Sequence, residues 1–229
     1  NYFQGISFGN LDSYFILFFD WFHGFNYSLL SGVLIFVGRL FFFLFFNMFY
    51  YKRVNEEYQI GEFFCSVLPT LILFFQIFPS LGLLYFFGVF SGDSSVGLKV
   101  VGHQWYWSYD YGDLRGLEFD SYIKNNDVLV LGEDRLLDVD NRCILPVNSC
   151  VRFCISSSDV IHAWSLNRLC LKLDAISGIL RVANYRFPFL GVFFGQCSEI
   201  CGANHSFIPI SVEVSSFSGF VYWVLLQLS

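Results

Sequence analysis

Two long apolar runs near the N-terminus restrict the folds that are open to this chain of 229 residues. The first run extends from Leu29 to Tyr51 and reads LLSGVLIFVGRLFFFLFFNMFYY; the second extends from Phe63 to Phe90. Each run is long enough to cross a hydrocarbon core of about 30 Å at a helical rise of roughly 1.5 Å per residue. The alternative, a buried helix of a large soluble protein, is weakened by the presence of a second such run. The sequence therefore predicts a transmembrane hairpin over residues 1–90, with helices at about 28–51 and 62–90.

The few charges in this part of the chain bear on its partners and its orientation. Arg39 lies in the middle of the first run, where a charge is costly, so it should face a partner or extend to the membrane surface. The loop between the runs carries Lys52 and Arg53, whereas the segment before Leu29 contains no Lys or Arg. The positive-inside rule therefore predicts that the loop lies on the inner side and both chain ends on the outer side.

Residues 91–229 have a different pattern, in which short β-rich runs are separated by Gly, Asn, Asp and Pro. Such spacing predicts a β-sandwich or barrel, and the runs are LKVVGHQWYWSYDY, DVLVLGEDRLLDVD, CVRFCISS, GVFFGQ and FIPISVEV. The tail FSGFVYWVLLQLS predicts a short closing helix. The net charge of -6 argues against a nucleic-acid partner and permits a basic protein partner.

The segment CSEICGANH contains the most specific chemical pattern in the chain. It places Cys197, Cys201 and His205 at intervals of four residues, and His162 precedes it in SDVIHAW. Zinc sites usually repeat a cysteine pair, and no second pair follows here. Blue-copper sites combine two imidazoles with a thiolate, and two thiolates can bridge two copper ions with one histidine on each ion. The pattern therefore indicates a dinuclear copper site, which suits electron transfer better than bond-making chemistry.

Several motifs together resemble the subunit 2 family of cytochrome c oxidases, the respiratory terminal oxidases of mitochondria. The motifs are CSEICGANHSFIPI, GHQWYWSYDY, FPSLGLLY, LLDVDNRCILPV and LKLDAISG, and the resemblance extends from Phe22 and His23 to Val214. It implies a membrane-anchored all-β protein, in which a two-helix transmembrane hairpin precedes a cupredoxin-like β-sandwich at residues 91–229.

The resemblance also implies a function within a larger enzyme. Members of the family accept electrons from cytochrome c and pass them to haem in the large catalytic subunit, which reduces oxygen and pumps protons. The chain would then lie in the inner mitochondrial membrane, contact the lipid bilayer and other oxidase subunits, and hold its copper domain in the intermembrane space.

The metal ligands are transferred residue by residue from the family pattern. His162, Cys197, Cys201 and His205 match the ligands of the dinuclear copper centre. Glu199 matches a residue whose backbone carbonyl also contacts copper and whose carboxylate binds Mg²⁺ at the boundary with the large subunit. A carboxylate is a suitable hard ligand for Mg²⁺; the alternative for Glu199 is an ordinary glutamate on a surface loop.

Two further residues match catalytic positions of the family. Trp105 matches the exposed tryptophan that passes the electron from cytochrome c to copper, whereas Trp107 is expected to be buried. Glu62 matches the entrance of a proton pathway into the large subunit. It is also explained as a favourable negative charge at the N-terminus of a helix, and both interpretations can hold together.

A group of acidic residues matches the surface on which the family docks cytochrome c, a basic protein. Complementary charge of this kind mainly accelerates the encounter and is weakened by salt. The alternative is a solvated acidic rim without a partner. The candidate docking residues are Asp110, Asp113, Glu118, Asp120 and Asp159.

One position departs from the family pattern. The family usually reads HSFMPI, in which the Met thioether is a weak copper ligand, whereas this chain reads HSFIPI with Ile208 at that place. Because an aliphatic side chain cannot bind copper, either the site lacks this ligand or the recorded residue is a decoding artefact for Met. The presence of a single Met in the chain keeps the second alternative open.

Two functions of other classes remain as rivals to the oxidase function. One is a structural anchor that has lost its copper, as in quinol-oxidase relatives, and the intact Cys and His pattern argues against it. The other is a membrane protein that delivers copper or binds zinc, which electronic coupling between two coppers would exclude.

Overall fold

The computed structural model describes residues 14–46, 58–89, 94–114 and 116–229. The chain divides into two compact units, which contain Tyr14–Phe87 and Gly88–Ser229. Lys52 and Arg53, on which the predicted orientation depends, lie outside the described residues.

The first unit consists of two long helices, α1 (Tyr14–Phe46) and α2 (Gln59–Val89). Helix α1 begins at Tyr14 rather than near residue 28, because hydropathy marks only its most apolar part and no proline interrupts the preceding residues. Helix α2 continues through Pro69 and Pro79, which a membrane-spanning helix tolerates.

Both helices meet the length and polarity requirements of a membrane span. The apolar stretches are Leu17–Phe46 and Gln59–Tyr85, and each exceeds the roughly 20 residues that a bilayer crossing requires. The side chains of Asn26 and Gln76 form a hydrogen bond between the helices. Arg39 is exposed on α1.

The second unit is a β-domain that ends in a short helix. Its described strands are β1 (Val96–His103), β2 (Tyr106–Asp110), β3 (Glu118–Ser121), β4 (Cys143–Pro146), β5 (Cys150–Ser157), β6 (His162–Leu166), β7 (Leu171–Ala175), β8 (Arg181–Arg186), β9 (Gly191–Gln196) and β10 (Pro209–Ser215), and helix α3 is Phe217–Leu228.

The strands form three sheets that enclose an apolar core. The largest sheet has the order β3-β2-β1-β5-β8, the second has the order β4-β10-β9, and β6 pairs with β7. Alternate residues of β5, namely Val151, Phe153 and Ile155, are fully buried, as expected for strands with one face toward a core. Trp107 and Trp164 are also fully buried, so large aromatic side chains fill the sandwich.

Helix α3 confirms the predicted closing helix. The Ser216 side chain accepts a hydrogen bond of 3.2 Å from the backbone amide of Gly219 and thereby caps the N-terminus. From the helix, Trp223 packs against the rings of Tyr111 and Phe119, which anchors the C-terminus of the chain on the sandwich.

The predicted strand in DVLVLGEDRLLDVD is wrong. The segment starts with a short 3₁₀ turn at Asn126–Val128 instead of a strand, and its Val130 and Leu131 side chains are exposed. Glu133 instead accepts hydrogen bonds from the Lys124 ammonium and the Val130 amide. Such local bonds from a polar side chain compete with strand pairing, so the first apolar residues of this segment do not reach the core, whereas Val139 near its end is buried and forms an isolated β-bridge with Ile123.

Asp138, in the same region, is a buried acid that should make folding sensitive to pH. Its carboxylate is 2% exposed and lies 2.6 Å from the Arg142 guanidinium. Burial would raise the pKa of Asp138, but the hydrogen bonds from Arg142 and the Asp134 amide hold the pKa below its ordinary value. The ionised form is therefore favoured in the folded chain.

Asp138→Asn is expected to lower the free energy of unfolding at pH 7 by about 1–3 kcal/mol, because a hydrogen bond between charged groups is lost. A lowered folded pKa stabilises the fold above the unfolded pKa of about 3.9, and this stabilisation disappears as the pH falls through the folded pKa. The difference in unfolding free energy between the variant and the unsubstituted chain should therefore be smaller at acidic pH than at pH 7, when unfolding is measured in detergent. Asp174→Asn, the same change at an exposed position, is the control, and an equal deficit in both variants would contradict the assignment.

Candidate metal centre

Two backbone hydrogen bonds join the cysteine loop to neighbouring strands. The Cys197 amide donates to the Ile208 carbonyl at 3.0 Å, and the Ser198 amide donates to the Ala163 carbonyl at 3.0 Å. The loop between β9 and β10 is therefore fixed against the start of β6. Because His162 is the first residue of β6, this arrangement brings it to the loop although 35 residues separate it from Cys197.

The two cysteines and two histidines of the predicted site lie together. The sulfur atoms of Cys197 and Cys201 are 3.9 Å apart. The Cys197 sulfur lies 3.8 Å from His162 Nδ1, and the Cys201 sulfur lies 3.5 Å from His205 Nδ1. The ligand atoms of His162, Cys197 and Cys201 are all within 4.8 Å of one another. Each sulfur therefore has its own imidazole nitrogen.

The residues of the cluster differ in their exposure to solvent. His162, Cys197 and Cys201 are buried, whereas His205 is partly exposed. The Glu199 carbonyl lies 3.3 Å from the Cys197 sulfur, and the Glu199 residue is itself partly exposed. A backbone oxygen thus accompanies the sulfur and nitrogen donors.

Hydrogen bonding favours a thiolate at one of the two cysteines. Burial alone would raise the pKa of Cys197, but hydrogen bonds with His162 and backbone groups lower it to about 7. Burial and the adjacent Cys197 sulfur raise the pKa of Cys201 to about 12. Burial would lower the pKa of His162, but its bonds with Cys197 and Asp159 raise it.

Gly202, directly after the second cysteine, allows the loop to approach the turn between β1 and β2 that carries Trp105. Its φ of +122° belongs to the region that favours glycine. A Cβ at this position would lie 3.0 Å from the Gln104 side-chain nitrogen and 3.4 Å from the Trp105 indole. The Gln104 side chain also donates a hydrogen bond of 2.8 Å to the Cys201 carbonyl. Trp105 is therefore held against the cysteine loop.

The two tryptophans of GHQWYWSYDY have different environments. Trp107 is fully buried, as predicted, and its ring lies 5.8 Å from the His162 ring. Trp105 is partly exposed, and its indole nitrogen is buried without a hydrogen-bond partner among the described residues. Trp105 therefore extends from the molecular surface to the loop that carries the cluster.

Three of the five candidate docking acids share one face of the largest sheet. Asp110 is opposite Glu118 in the β2–β3 pairing, and Asp120 follows Glu118 by two residues, so all three point away from the core. Asp113 is exposed in the turn between these strands. Asp159 differs, because its carboxylate lies 2.9 Å from His162 Nε2.

Sequence reasoning missed the roles of Asp159 and Gln104 as neighbours of the cluster. A signal was available for Asp159, since it precedes His162 by three residues and metal-binding histidines usually bond to a carboxylate through the second nitrogen. No comparable signal marks Gln104, whose contact with Cys201 depends on the folded loop. Glu62 lies in the first turn of α2, in the other compact unit, and is exposed.

The fold and the cluster together define a class of protein. Two apolar helices long enough to span a membrane accompany a β-sandwich in which His162, Cys197 and Cys201 form a buried cluster that could hold a metal ion. This combination defines a membrane-anchored cupredoxin-like protein.

Comparison with known proteins identifies the family within this class. A family model described as "Cytochrome C oxidase subunit II, periplasmic domain" matches residues 96–215. Cytochrome c oxidase subunit 2 of Caenorhabditis elegans is 58% identical over 223 residues, which cover 97% of this chain and 96% of the relative. The subunit 2 of Ascaris suum is 55% identical over 229 residues, which cover 100% and 99%. The chain belongs to the cytochrome c oxidase subunit 2 family and is a subunit of that oxidase, as the sequence motifs predicted.

A solved structure agrees with this assignment for the β-domain. The crystal structure of the periplasmic domain of subunit II of cytochrome oxidase (CoxB) of Bradyrhizobium japonicum is 39% identical, with a TM-score of 0.55. The match covers 59% of this chain and 95% of that structure. The predicted fold, a membrane-anchored cupredoxin-like sandwich, is confirmed.

Proposed function

We propose that the chain holds two copper ions at His162, Cys197, Cys201 and His205 and transfers electrons from cytochrome c to haem in the large catalytic subunit. The observation that carries this proposal is the pairing of two sulfurs 3.9 Å apart, each beside its own imidazole nitrogen. Soft thiolates and imidazoles are the donors that copper prefers. His162, Cys197, Cys201 and His205 would hold the two coppers, and a copper pair at this site would share the transferred electron between two metals, which would keep the structural change on reduction small.

The protein residues prepare the site for this task. Strand β6 and the loop after β9 hold the donors through backbone hydrogen bonds, and burial of His162, Cys197 and Cys201 excludes water. A dry and rigid site needs little rearrangement when its charge changes. The Glu199 carbonyl, 3.3 Å from the Cys197 sulfur, supports the proposed backbone contact with copper. Its partly exposed carboxylate is the proposed Mg²⁺ ligand at the boundary with the large subunit.

Electrons would arrive at Trp105, because this indole reaches both the surface and the cysteine loop. The acidic face of β2 and β3 would attract a basic cytochrome c and increase the rate of encounter. Asp110, Glu118 and Asp120 form this face, with Asp113 in the adjoining turn.

The proposed location is the inner mitochondrial membrane, with the copper domain in the intermembrane space. The two apolar helices support the membrane anchoring, and the cations of the loop between them support the orientation. Oxygen reduction and proton pumping belong to the large subunit.

Metal analysis of the full chain in detergent tests the proposed function. Two coppers per chain, with an electron paramagnetic resonance spectrum of one electron shared by two coppers, is the expected result. Failure to bind copper would favour the structural anchor. Binding of zinc or of a single copper would favour the third candidate function, metal delivery or zinc binding.

Glu62→Gln in the assembled oxidase is expected to slow oxygen turnover several-fold while reduction of copper by cytochrome c keeps its rate. The reason is that Glu62 is assigned to proton uptake, and Gln keeps the shape of the side chain but not its ionisable group. Glu62→Asp, which retains a carboxylate, should recover part of the turnover. A defect in copper reduction without a turnover defect would contradict this role.

Ile208 should raise the reduction potential of the site relative to an Ile208→Met variant. Its side chain is 1% exposed, and its carbonyl accepts the Cys197 amide, so the residue adjoins the first cysteine of the loop. Axial ligation tunes copper potentials; without a thioether donor the reduced state is favoured. An apolar neighbour that excludes water acts in the same direction, because it disfavours the more highly charged oxidised form.

A redox titration of the copper-loaded chain and the variant in one buffer measures this difference. Both forms should retain two coppers, since the thioether is the weakest ligand. A potential equal to or below that of the Met variant would refute the argument. A peptide mass that shows Met at position 208 would remove its premise.

A further inference from the structure

The Asp159 carboxylate is shared between two elements of the site. Its Oδ2 accepts a hydrogen bond of 2.7 Å from the Gln104 backbone amide. Its Oδ1 lies 2.9 Å from His162 Nε2 and accepts a hydrogen bond of 2.6 Å from the Val160 amide. The side chain is 32% exposed, so most of it is enclosed by these partners.

The contact between Asp159 and His162 determines which nitrogen of the imidazole carries the proton and which one faces the cluster. Because His162 Nδ1 faces the Cys197 sulfur, the proton of the neutral ring belongs on Nε2. This N–H then donates a hydrogen bond to the Asp159 carboxylate. This arrangement directs the Nδ1 lone pair toward the cluster. A carboxylate partner of this kind orients a metal-binding histidine and increases its basicity.

The contact with Gln104 fixes the residue that directly precedes Trp105. Gln104 is bound at two points, since its backbone amide bonds to Asp159 and its side chain donates to the Cys201 carbonyl at 2.8 Å. Its backbone is therefore connected to the His162 side of the cluster, and its side chain is connected to the cysteine side. Loss of the Asp159 carboxylate would release the first of these connections.

We propose that Asp159 is a positioning residue that couples the backbone before Trp105 to the orientation of His162. The inference rests on the proposed copper function and extends it to a residue that surface charge alone would assign to docking. An acid that serves only in docking needs free oxygens for a cation on the partner, whereas both oxygens of Asp159 already accept hydrogen bonds. Glu118 is likewise an exposed acid, and it lies on the docking face.

Asp159→Asn removes the anionic bond to His162 and keeps the size of the side chain. A single amide oxygen cannot replace both carboxylate oxygens as acceptors for Gln104, Val160 and His162, so the histidine loses its orienting partner. In the full chain, loaded with copper in detergent, copper affinity should fall by about 10- to 100-fold. The reduction potential should rise, because the oxidised site loses a nearby negative charge. Asp159→Glu, which restores the carboxylate, should recover part of both properties.

Glu118→Gln is the matched control, since it removes one negative charge from the docking face without a contact to the cluster. Its copper affinity and reduction potential should equal those of the unsubstituted chain. Hydrogen–deuterium exchange adds a measurement that needs no copper: Asp159→Ala should accelerate exchange at the Gln104 amide, and Glu118→Gln should not.

The outcomes separate this inference from the proposed function. If the unsubstituted chain binds no copper, the proposed function and the inference both fail. If it binds two coppers and Asp159→Asn leaves affinity and potential unchanged, the inference alone fails. Equal shifts in Asp159→Asn and Glu118→Gln would also overturn it, because they would reduce the role of Asp159 to surface charge.

Discussion

Substitution of Cys197 by serine is expected to abolish the dinuclear copper spectrum of the full chain. Cys197 has the lowered pKa of the two loop cysteines, about 7, because His162 and backbone groups bond to its sulfur. A serine hydroxyl remains protonated and offers a hard oxygen, which copper accepts less readily than a soft thiolate. With Cys201 as the only sulfur donor left in the cluster, the site would lose one of the two sulfurs proposed to hold both coppers, so at most a single copper should bind.

The measurement is copper content per chain together with the electron paramagnetic resonance spectrum. Cys154→Ser provides the control, because Cys154 lies on β5 between the buried Phe153 and Ile155 and therefore on the opposite face of that strand. It should retain two coppers and the shared-electron spectrum. Survival of that spectrum in the Cys197→Ser chain would refute the bridging role, whereas its loss in both variants would point to a general effect of removing thiols.

The sequence was sufficient for those parts of the fold in which one local pattern determines the structure. The apolar runs around Leu34 and Phe74 predict membrane-length helices because a bilayer requires internally bonded backbone. The start of α1 at Tyr14 was not predictable in this way, since hydropathy shows the membrane-compatible part of a helix and not its full length. In the segment after Asn126, an alternating pattern predicted a strand, but hydrogen bonds to Glu133 produce turns instead.

The candidate site shows the same division between local and long-range information. The spacing of Cys197, Cys201 and His205 is visible in one loop, and the resemblance to a known family adds His162. The distances between these side chains depend on backbone bonds to Ala163 and Ile208, which no local pattern encodes. Likewise, five acids predicted as one docking surface divide in the structure, since Asp159 binds His162 while Glu118 faces outward.

Trp105→Phe is expected to slow the reduction of copper by cytochrome c far more than it weakens the binding of cytochrome c. Phenylalanine keeps an aromatic face at the docking surface, so binding should change by less than about 1 kcal/mol. The indole, however, is the group that extends from the partly exposed surface toward Gly202, the residue after Cys201, where an added Cβ would lie 3.4 Å from it. A smaller ring would withdraw from the loop and lengthen the path to the cluster.

Rapid-mixing kinetics of the assembled oxidase with reduced cytochrome c separates the two effects, because the concentration dependence gives binding and the limiting rate gives transfer. The limiting rate should fall by about tenfold or more, with little change in the concentration for half-saturation. Trp223→Phe is the control, since it removes an indole that packs on Tyr111 beneath α3, and it should transfer electrons at the original rate.

Equal limiting rates for Trp105→Phe and the unsubstituted enzyme would refute the assignment. A change confined to half-saturation would make Trp105 a docking residue and would require another path. The buried Trp107 on β2, with its ring 5.8 Å from the His162 ring, is a candidate for that path.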